Sequence, residues 1–292
     1  MVRPIDLMIV GAQKAGTTSL IRYLGMHPKV CIHKQTELTF FLLDEEFGLG
    51  YDKAFKKYYC DCQDESSVIM AKNVGIMYWP DAVKRLKEHN PEMHLVAILR
   101  NPVDRAYSAY WFARRNGWES LETFEQGIDA EPIRLKEDTF KWRQCAYLDR
   151  GIYHRQIAFI LEHFRRNQVH IFIFEDFKKN PDDVCRKIYN LFGLDSHSSI
   201  NANSYYNKAA IARSEGIARF LNSDNPIKRF VRSLLRDDIA FFIKKKVKKI
   251  NKKNFIPPPM NPETRMRLIE YFKEYNHTLG ETIGFDSSPW NK

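Results

Sequence analysis

The most constraining feature of the sequence is a mostly apolar run of strand length, Ile5 to Val10, followed directly by a turn bounded by glycines. That turn, Gly11-Ala12-Gln13-Lys14-Ala15-Gly16-Thr17-Thr18, passes into helical spacing from Ser19-Leu20 through Tyr23-Leu24. A strand that feeds a helix in this way converges backbone N–H groups and the positive end of the helix on one point, where an anion binds. Glycines let the backbone approach a phosphate, a lysine adds a mobile positive charge, and hydroxyls donate further hydrogen bonds. A nucleoside-triphosphatase loop reads G-x-x-x-x-G-K-[ST], with the lysine after the second glycine. Here Lys14 precedes Gly16 and Thr17 follows it. The turn therefore suits a phosphate without carrying that signature. The plain alternative is an ordinary strand-to-helix turn.

Further strand-length apolar runs lie at Lys29 to Ile32, Val68 to Lys72, His94 to Leu99 and Val169 to Phe174. Helical patterns fall between them. One runs from Val103 to Asn116, with Gly117 placed to end it. Another runs from Gly151 to Arg166, with Tyr153, Ile157, Ile160, Leu161 and Phe164 on one face. A third opens with Asn180-Pro181-Asp182-Asp183, a cap, an N1 proline and two acids, and stops at Gly193. Strands alternating with helices predict an α/β, P-loop-like three-layer fold: a central, mostly parallel sheet flanked by helices.

A second motif surrounds Arg100-Asn101-Pro102. Arg100 ends the run from His94, and Ser108 lies two turns inside the following helix. An arginine at the carboxyl end of a strand is placed to grip a phosphate above the sheet. Either residue alone would pass as an ordinary surface group.

Together the two segments resemble the family of sulfotransferases that use 3′-phosphoadenosine 5′-phosphosulfate (PAPS), in its heparan-type and bacterial carbohydrate branch. The resemblance implies a PAPS donor, 3′-phosphoadenosine 5′-phosphate (PAP) as product, and no metal. It assigns Gly11, Gln13, Lys14, Ala15, Gly16, Thr17 and Thr18 to the 5′-phosphosulfate loop, with Lys14 on the 5′-phosphate and bridging oxygen. It assigns Arg100 and Ser108 to the 3′-phosphate, and Arg213, in the stretch Asn207 to Ser214, to a second contact there. In Thr36-Glu37-Leu38-Thr39-Phe40-Phe41, Glu37 falls where the carbohydrate branch carries its general base, and Phe40 and Phe41 read as wall and core. Lys72 matches a lysine that assists the leaving group or the acceptor. Tyr147 to Tyr153 and Phe174 to Phe177 match the family's middle. Asn261 through Asn276 to Phe285 resembles its C-terminal helix, with positions near Leu268 and Tyr271 in the core.

The chain departs from the family pattern in two places. An acidic residue usually precedes the lysine and a proline follows it, whereas this chain reads Ala71-Lys72-Asn73-Val74-Gly75. Some heparan enzymes carry a histidine two residues after the base, where this chain has Thr39.

Composition bounds the remaining possibilities. At 292 residues, 44% hydrophobic and 13% aromatic, the chain suits one globular enzyme domain over residues 1–292. No apolar run approaches the roughly 20 residues that span a bilayer. The N-terminus enters a strand without room for a signal peptide. The five cysteines have no metal-site spacing and read as reduced thiols, and none of the nine histidines forms a ligand pattern. These readings predict a cytoplasmic protein.

The net charge of +10 is uneven: Pro226 to Lys253 holds eleven Lys or Arg against Asp237 and Asp238, a local charge of +9. Ile227, Phe230, Val231, Leu234 and Leu235 make an amphipathic stripe, as do Ile239, Phe242, Ile243, Val247 and Ile250. A basic helical insertion at about 222–256 is expected, either as a docked lid or, through 227–253, as a platform for an anionic glycan or the inner face of a membrane. Its aromatics lie on the apolar stripe and do not interleave for base stacking, so no nucleic-acid partner is expected. The sulfate acceptor reads as a carbohydrate or glycolipid hydroxyl or amine, with a lipid, a carrier-bound hydroxyl or a small metabolite as alternatives. A P-loop kinase and a non-catalytic polyanion- or membrane-binding protein are the more distant readings.

Overall fold

The computed structural model describes residues 2–59, 62, 67–137, 139–195, 210–212, 252–254 and 256–292. The first unit comprises Met1–Arg105, Ile152–Tyr206 and Glu270–Lys292. Its centre is a five-stranded parallel sheet in the order β2-β3-β1-β4-β5. The strands are β1 (Leu7–Gly11), β2 (Val30–Ile32), β3 (Val68–Lys72), β4 (His94–Leu99) and β5 (Val169–Ile173). All five residues of β1 are buried, as a central parallel strand covered on both faces requires.

Chain direction explains the layers. From β1 the chain crosses through α1 (Thr17–Leu24) to β2 on one side, whereas β3 connects through α4 (Pro80–His89) to β4 on the other. Right-handed crossovers in opposite directions put their helices on opposite faces. Accordingly α1 packs with α11 (Pro181–Asn190), and α4 packs with α9 (Tyr153–His163). Tyr189 on α11 donates its hydroxyl to the carbonyls of Tyr23 and Leu24 at 3.1 and 3.2 Å. Strand β1 therefore leaves toward one face while both its neighbours leave toward the other. That opens a crevice at the carboxyl ends of the strands, the topological switch point of such sheets.

Several local expectations are met at their physical cause. Asn180 Oδ1 accepts from Asp183 N at 3.2 Å, and Pro181 begins α11. The remaining helices of this unit are α2 (Asp44–Phe47), α3 (Tyr51–Tyr58) and α10 (Phe174–Lys179). Phe40 and Phe41 are core.

The second unit comprises Ala106–Gly151 and Asn207–Ile269. It holds most of α5 (Pro102–Asn116), α6 (Phe124–Asp129), α7 (Glu131–Glu137), α8 (Thr139–Cys145), and an antiparallel pair, β6 (Ala210–Ala212) with β7 (Lys252–Asn254). Helix α5 stops where expected, with Gly117 at φ 69°. Two buried carboxylates organise this unit. Glu119 takes both Arg134 nitrogens at 2.6 and 2.9 Å and the Tyr147 hydroxyl at 2.9 Å. Glu131 accepts the backbone N–H groups of Tyr147, Leu148 and Asp149.

Three expectations are corrected. Cys31 and Cys62 form a disulfide with Cα atoms 5.9 Å apart, where free thiols were expected, while Cys145 and Cys185 are free and buried. Tyr271 is 41% exposed, because the C-terminal helix Pro262–Ile283 turns Leu268, Phe272, Asn276 and Leu279 inward instead. Helix α11 ends at Asn190 and not at Gly193, whose φ of 62° belongs to the turn beyond. The insertion at 222–256 lies outside the described residues except for 252–254 and Ile256.

Candidate active site

The turn after β1 takes the conformation its glycines allow. Gly16 caps α1 at φ 81°, and a Cβ there would meet Phe174 Cε2 at 3.0 Å and Phe177 Cε1 at 3.2 Å. Lys14 also stands in the left-handed region, at φ 69°. For a non-glycine residue this costs about 1–2 kcal/mol, a strain found where a turn is shaped for a ligand. The first turn of α1 holds no acidic residue, so no carboxylate of its own helix competes for the positive end of the dipole.

Arg100, one residue beyond β4, reaches this turn and donates from Nη1 to the Lys14 carbonyl at 3.1 Å. Its guanidinium lies 5.1 Å from the centre of the Phe174 ring, and its own carbonyl receives the Tyr153 hydroxyl at 2.9 Å. Burial pushes that phenol up to about 12, which keeps it a neutral donor. Phe174 and Tyr153 thus fix Arg100.

On the other side of β1, Lys72 ends β3 with a fully buried side chain. Its Nζ lies 2.5 Å from Glu37 Oε1 and 3.4 Å from Thr18 Oγ1. The other carboxylate oxygen, Glu37 Oε2, accepts Val74 N–H at 3.1 Å. Burial pushes the Lys72 ammonium below its ordinary value; Glu37 opposes that shift and Arg22 adds to it. Glu37 itself keeps 30% of its side chain exposed, so an acceptor from solvent can reach it. The Ala71-Lys72-Asn73-Val74-Gly75 departure is a formed turn. Asn73 Oδ1 accepts Gly75 N–H at 2.8 Å and its Nδ2 donates to Leu38 O at 2.9 Å, which ties the turn to the segment carrying Glu37.

The first unit therefore brings together the 11–18 turn, Glu37, Lys72 and Arg100. Ser108 is half-buried on α5, in the second unit. Arg213 lies outside the described residues. Among the described residues no group of His, Cys, Asp and Glu is arranged to hold a metal ion, and no helix is long and apolar enough to cross a membrane.

A model of the sulfotransferase domain matches residues 4–233. The chain belongs to this family. Among its relatives is the bifunctional heparan sulfate N-deacetylase/N-sulfotransferase 1 of Xenopus laevis, 24% identical over 286 residues, covering 95% of this chain and 29% of that protein. The protein of the same name from Caenorhabditis briggsae is 30% identical over 195 residues, covering 63% of this chain and 22% of that one. The chain thus spans less than a third of the length of these relatives. A solved sulfotransferase from Alicyclobacillus acidocaldarius shares the fold across the full length of both chains, with a TM-score of 0.73 and 23% identity.

Sequence reasoning missed His33, whose Nε2 accepts the Lys72 N–H at 3.1 Å, and Asn73, Tyr153 and Phe174 as supports of the site. Only Asn73 carried a local signal, an Asn two residues before Gly75 in a strand-to-helix turn. The other three act through tertiary contacts.

Proposed function

We propose that the chain moves a sulfuryl group from PAPS to a hydroxyl or amine of a carbohydrate, with Glu37 as general base. The Glu37–Lys72 pair carries this reading. A reachable carboxylate and a buried ammonium stand beside a phosphate-type turn, with Thr18 bridging them to it. A passive polyanion binder does not account for a carboxylate held there, and the turn, with Lys14 before Gly16, lacks the signature of a nucleoside-triphosphate loop.

The reaction is an in-line displacement. The acceptor's lone pair forms a bond to sulfur, the bond from sulfur to the 5′-phosphate oxygen breaks, and the acceptor's proton passes to Glu37. Lys14 and the N–H groups of the turn stabilise the charge that grows on the departing phosphate. Lys72 holds Glu37 in place and adds positive charge beside the breaking bond. Arg100 and Ser108, with Arg213, are the proposed anchors of the 3′-phosphate, whose binding energy orients the reacting end. The relatives named for N-sulfation of heparan sulfate support a carbohydrate amine as the first acceptor to assay. The basic run 227–253 is proposed, on charge alone, to contact an anionic glycan or a membrane surface.

Calorimetric titration with PAP, ATP and ADP tests the donor site on wild type, Lys14→Ala, Arg100→Ala and Ser108→Ala. The expected result is tight PAP binding, weakened in each variant, with no comparable affinity for ATP. Preference for Mg²⁺-ATP and indifference to the 3′-phosphate would overturn the assignment.

A further inference from the structure

Lys72 pairs with Ile9 of β1 on one side, but on the other side the pairing with β2 stops two residues before it. Strand β2 ends at Ile32, which pairs with Met70, so among the described residues no strand lies beside β3 beyond Met70 on that edge. Both backbone groups of Lys72 on that edge are nevertheless bonded. Its N–H donates to His33 Nε2 at 3.1 Å, and its carbonyl accepts Leu38 N–H at 2.9 Å. The neighbouring Glu37 takes its Nζ. Residues 33 to 38 thus grip Lys72 at three points, and one of them is a side chain standing in for a missing strand.

His33 is built for that position. It is 4% exposed. Its ring meets those of Tyr58 and Tyr59 edge-on, with centroids 6.3 and 6.4 Å apart. Tyr58 also fastens the segment at both ends. Its carbonyl accepts Lys34 N–H at 3.1 Å and its hydroxyl pairs with Thr39 Oγ1 at 2.8 Å. The titratable groups that face His33 are the Lys72 ammonium from β3 and the phenols of Tyr58 and Tyr59 from α3 and the residue after it. None is an anion that would favour a protonated ring. An imidazole that accepts at Nε2 must be neutral, with its proton on Nδ1.

We infer that neutral His33 is the positioning residue of the reaction centre: its Nε2 fixes the Lys72 backbone and thereby the Lys72–Glu37 pair. The inference rests on the proposed sulfotransferase reading and names a residue that acts without touching either substrate. A shift of about 1 Å in a reacting group costs on the order of 10²-fold in rate, so losing this acceptor lowers turnover without touching the donor site.

The test compares wild type with His33→Leu, which removes the acceptor, and His33→Gln, whose amide oxygen reaches the Nε2 position. Three quantities are read: PAP affinity by calorimetry, kcat for PAP release from PAPS with N-deacetylated heparosan as the probe acceptor, and hydrogen exchange at the Lys72 amide by NMR. For His33→Leu, kcat falls at least ~10-fold, PAP affinity stays within ~2-fold, and the Lys72 amide exchanges at least ~10-fold faster. His33→Gln restores both kcat and protection. If Leu leaves kcat and exchange unchanged, or Gln is as damaged as Leu, the inference is wrong. Should His33→Leu fail to fold, His33→Asn takes its place, since its shorter side chain cannot reach the Lys72 amide. A wild type that binds no PAP sinks the sulfotransferase reading, and the exchange measurement still judges His33 as the anchor of Lys72.

Discussion

His33 also makes a quantitative claim about stability. Burial first, and then the neighbouring Lys72 ammonium, push its imidazole from 6.5 down to about 4. A group whose pKa is lowered by folding binds fewer protons in the native state than in the unfolded chain between those two values. Its contribution is therefore complete above about pH 6.5 and is lost as pH falls toward about 4. For a single such histidine, linkage gives a loss of about 2 kcal/mol between pH 7 and pH 5. His89 and His170 are lowered to about 4 as well, mainly by burial, and titrate in the same direction. The useful quantity is thus a difference. Urea denaturation of wild type and His33→Gln at pH 7 and pH 5 cancels every group the two share. The expected result is that wild type loses about 2 kcal/mol more than the variant over that interval. Equal losses would show that His33 is not held neutral by the fold, and the argument for a neutral acceptor at Lys72 would go with it.

Glu37→Gln should lower sulfuryl transfer by about 10²–10⁴-fold while PAP affinity holds, because it removes a base and leaves the donor turn intact. Adding Lys72→Met to that variant should cost far less than Lys72→Met costs alone, since the two side chains act as one unit; independent losses in the kinetic double-mutant cycle would contradict the pairing. Gly16→Ala forces a Cβ onto φ 81° and against Phe174 and Phe177. It should cost about 1–2 kcal/mol in thermal unfolding and weaken PAP binding, and an unchanged melting curve would show that the turn is less constrained than described.

What could be read from the sequence was what is local to a segment. The 11–18 turn, Arg100 just past β4 and Lys72 at the end of β3 each sit at a strand end that an apolar run marked, whereas Glu37, five residues past β2, was picked out by its resemblance to the family's base. The C-terminal helix was visible too, but its phase was not. Leu268, Phe272, Asn276 and Leu279 follow spacings of four, four and three, which turns Tyr271 outward. Tyr271 and Tyr275, each one position before that line, and Ile269, one position after it, left the choice open. Helix α6 escaped notice although Thr123 and Gln126 form a capping box, because Thr123 follows no apolar break. The Cys31–Cys62 pairing had no sequence signal at all, since connectivity is a property of the fold. His33 was invisible for the deepest reason. Its role exists only because β2 stops at Ile32 while β3 runs on to Lys72, a mismatch in strand lengths that no window of sequence contains.

That mismatch bears on the chemistry. A lysine in the middle of a ladder has its backbone fixed by two strands and its side chain directed by the pleat alone. Lys72 lies where the ladder has run out on one side, so the segment that replaces the missing strand can bring a carboxylate to its Nζ. The Lys72 ammonium is buried, Glu37 opposes the downward push of desolvation on it, and Glu37 is held in turn by Nζ and by Val74 N–H. A carboxylate is a weak base toward a free hydroxyl or a neutral amine. It becomes an adequate one only as the acceptor bonds to sulfur and its proton turns acidic. On the proposed reading, proton removal therefore follows the onset of sulfuryl transfer, and the bonds from Lys72 Nζ and Val74 N–H hold Glu37 where that proton emerges.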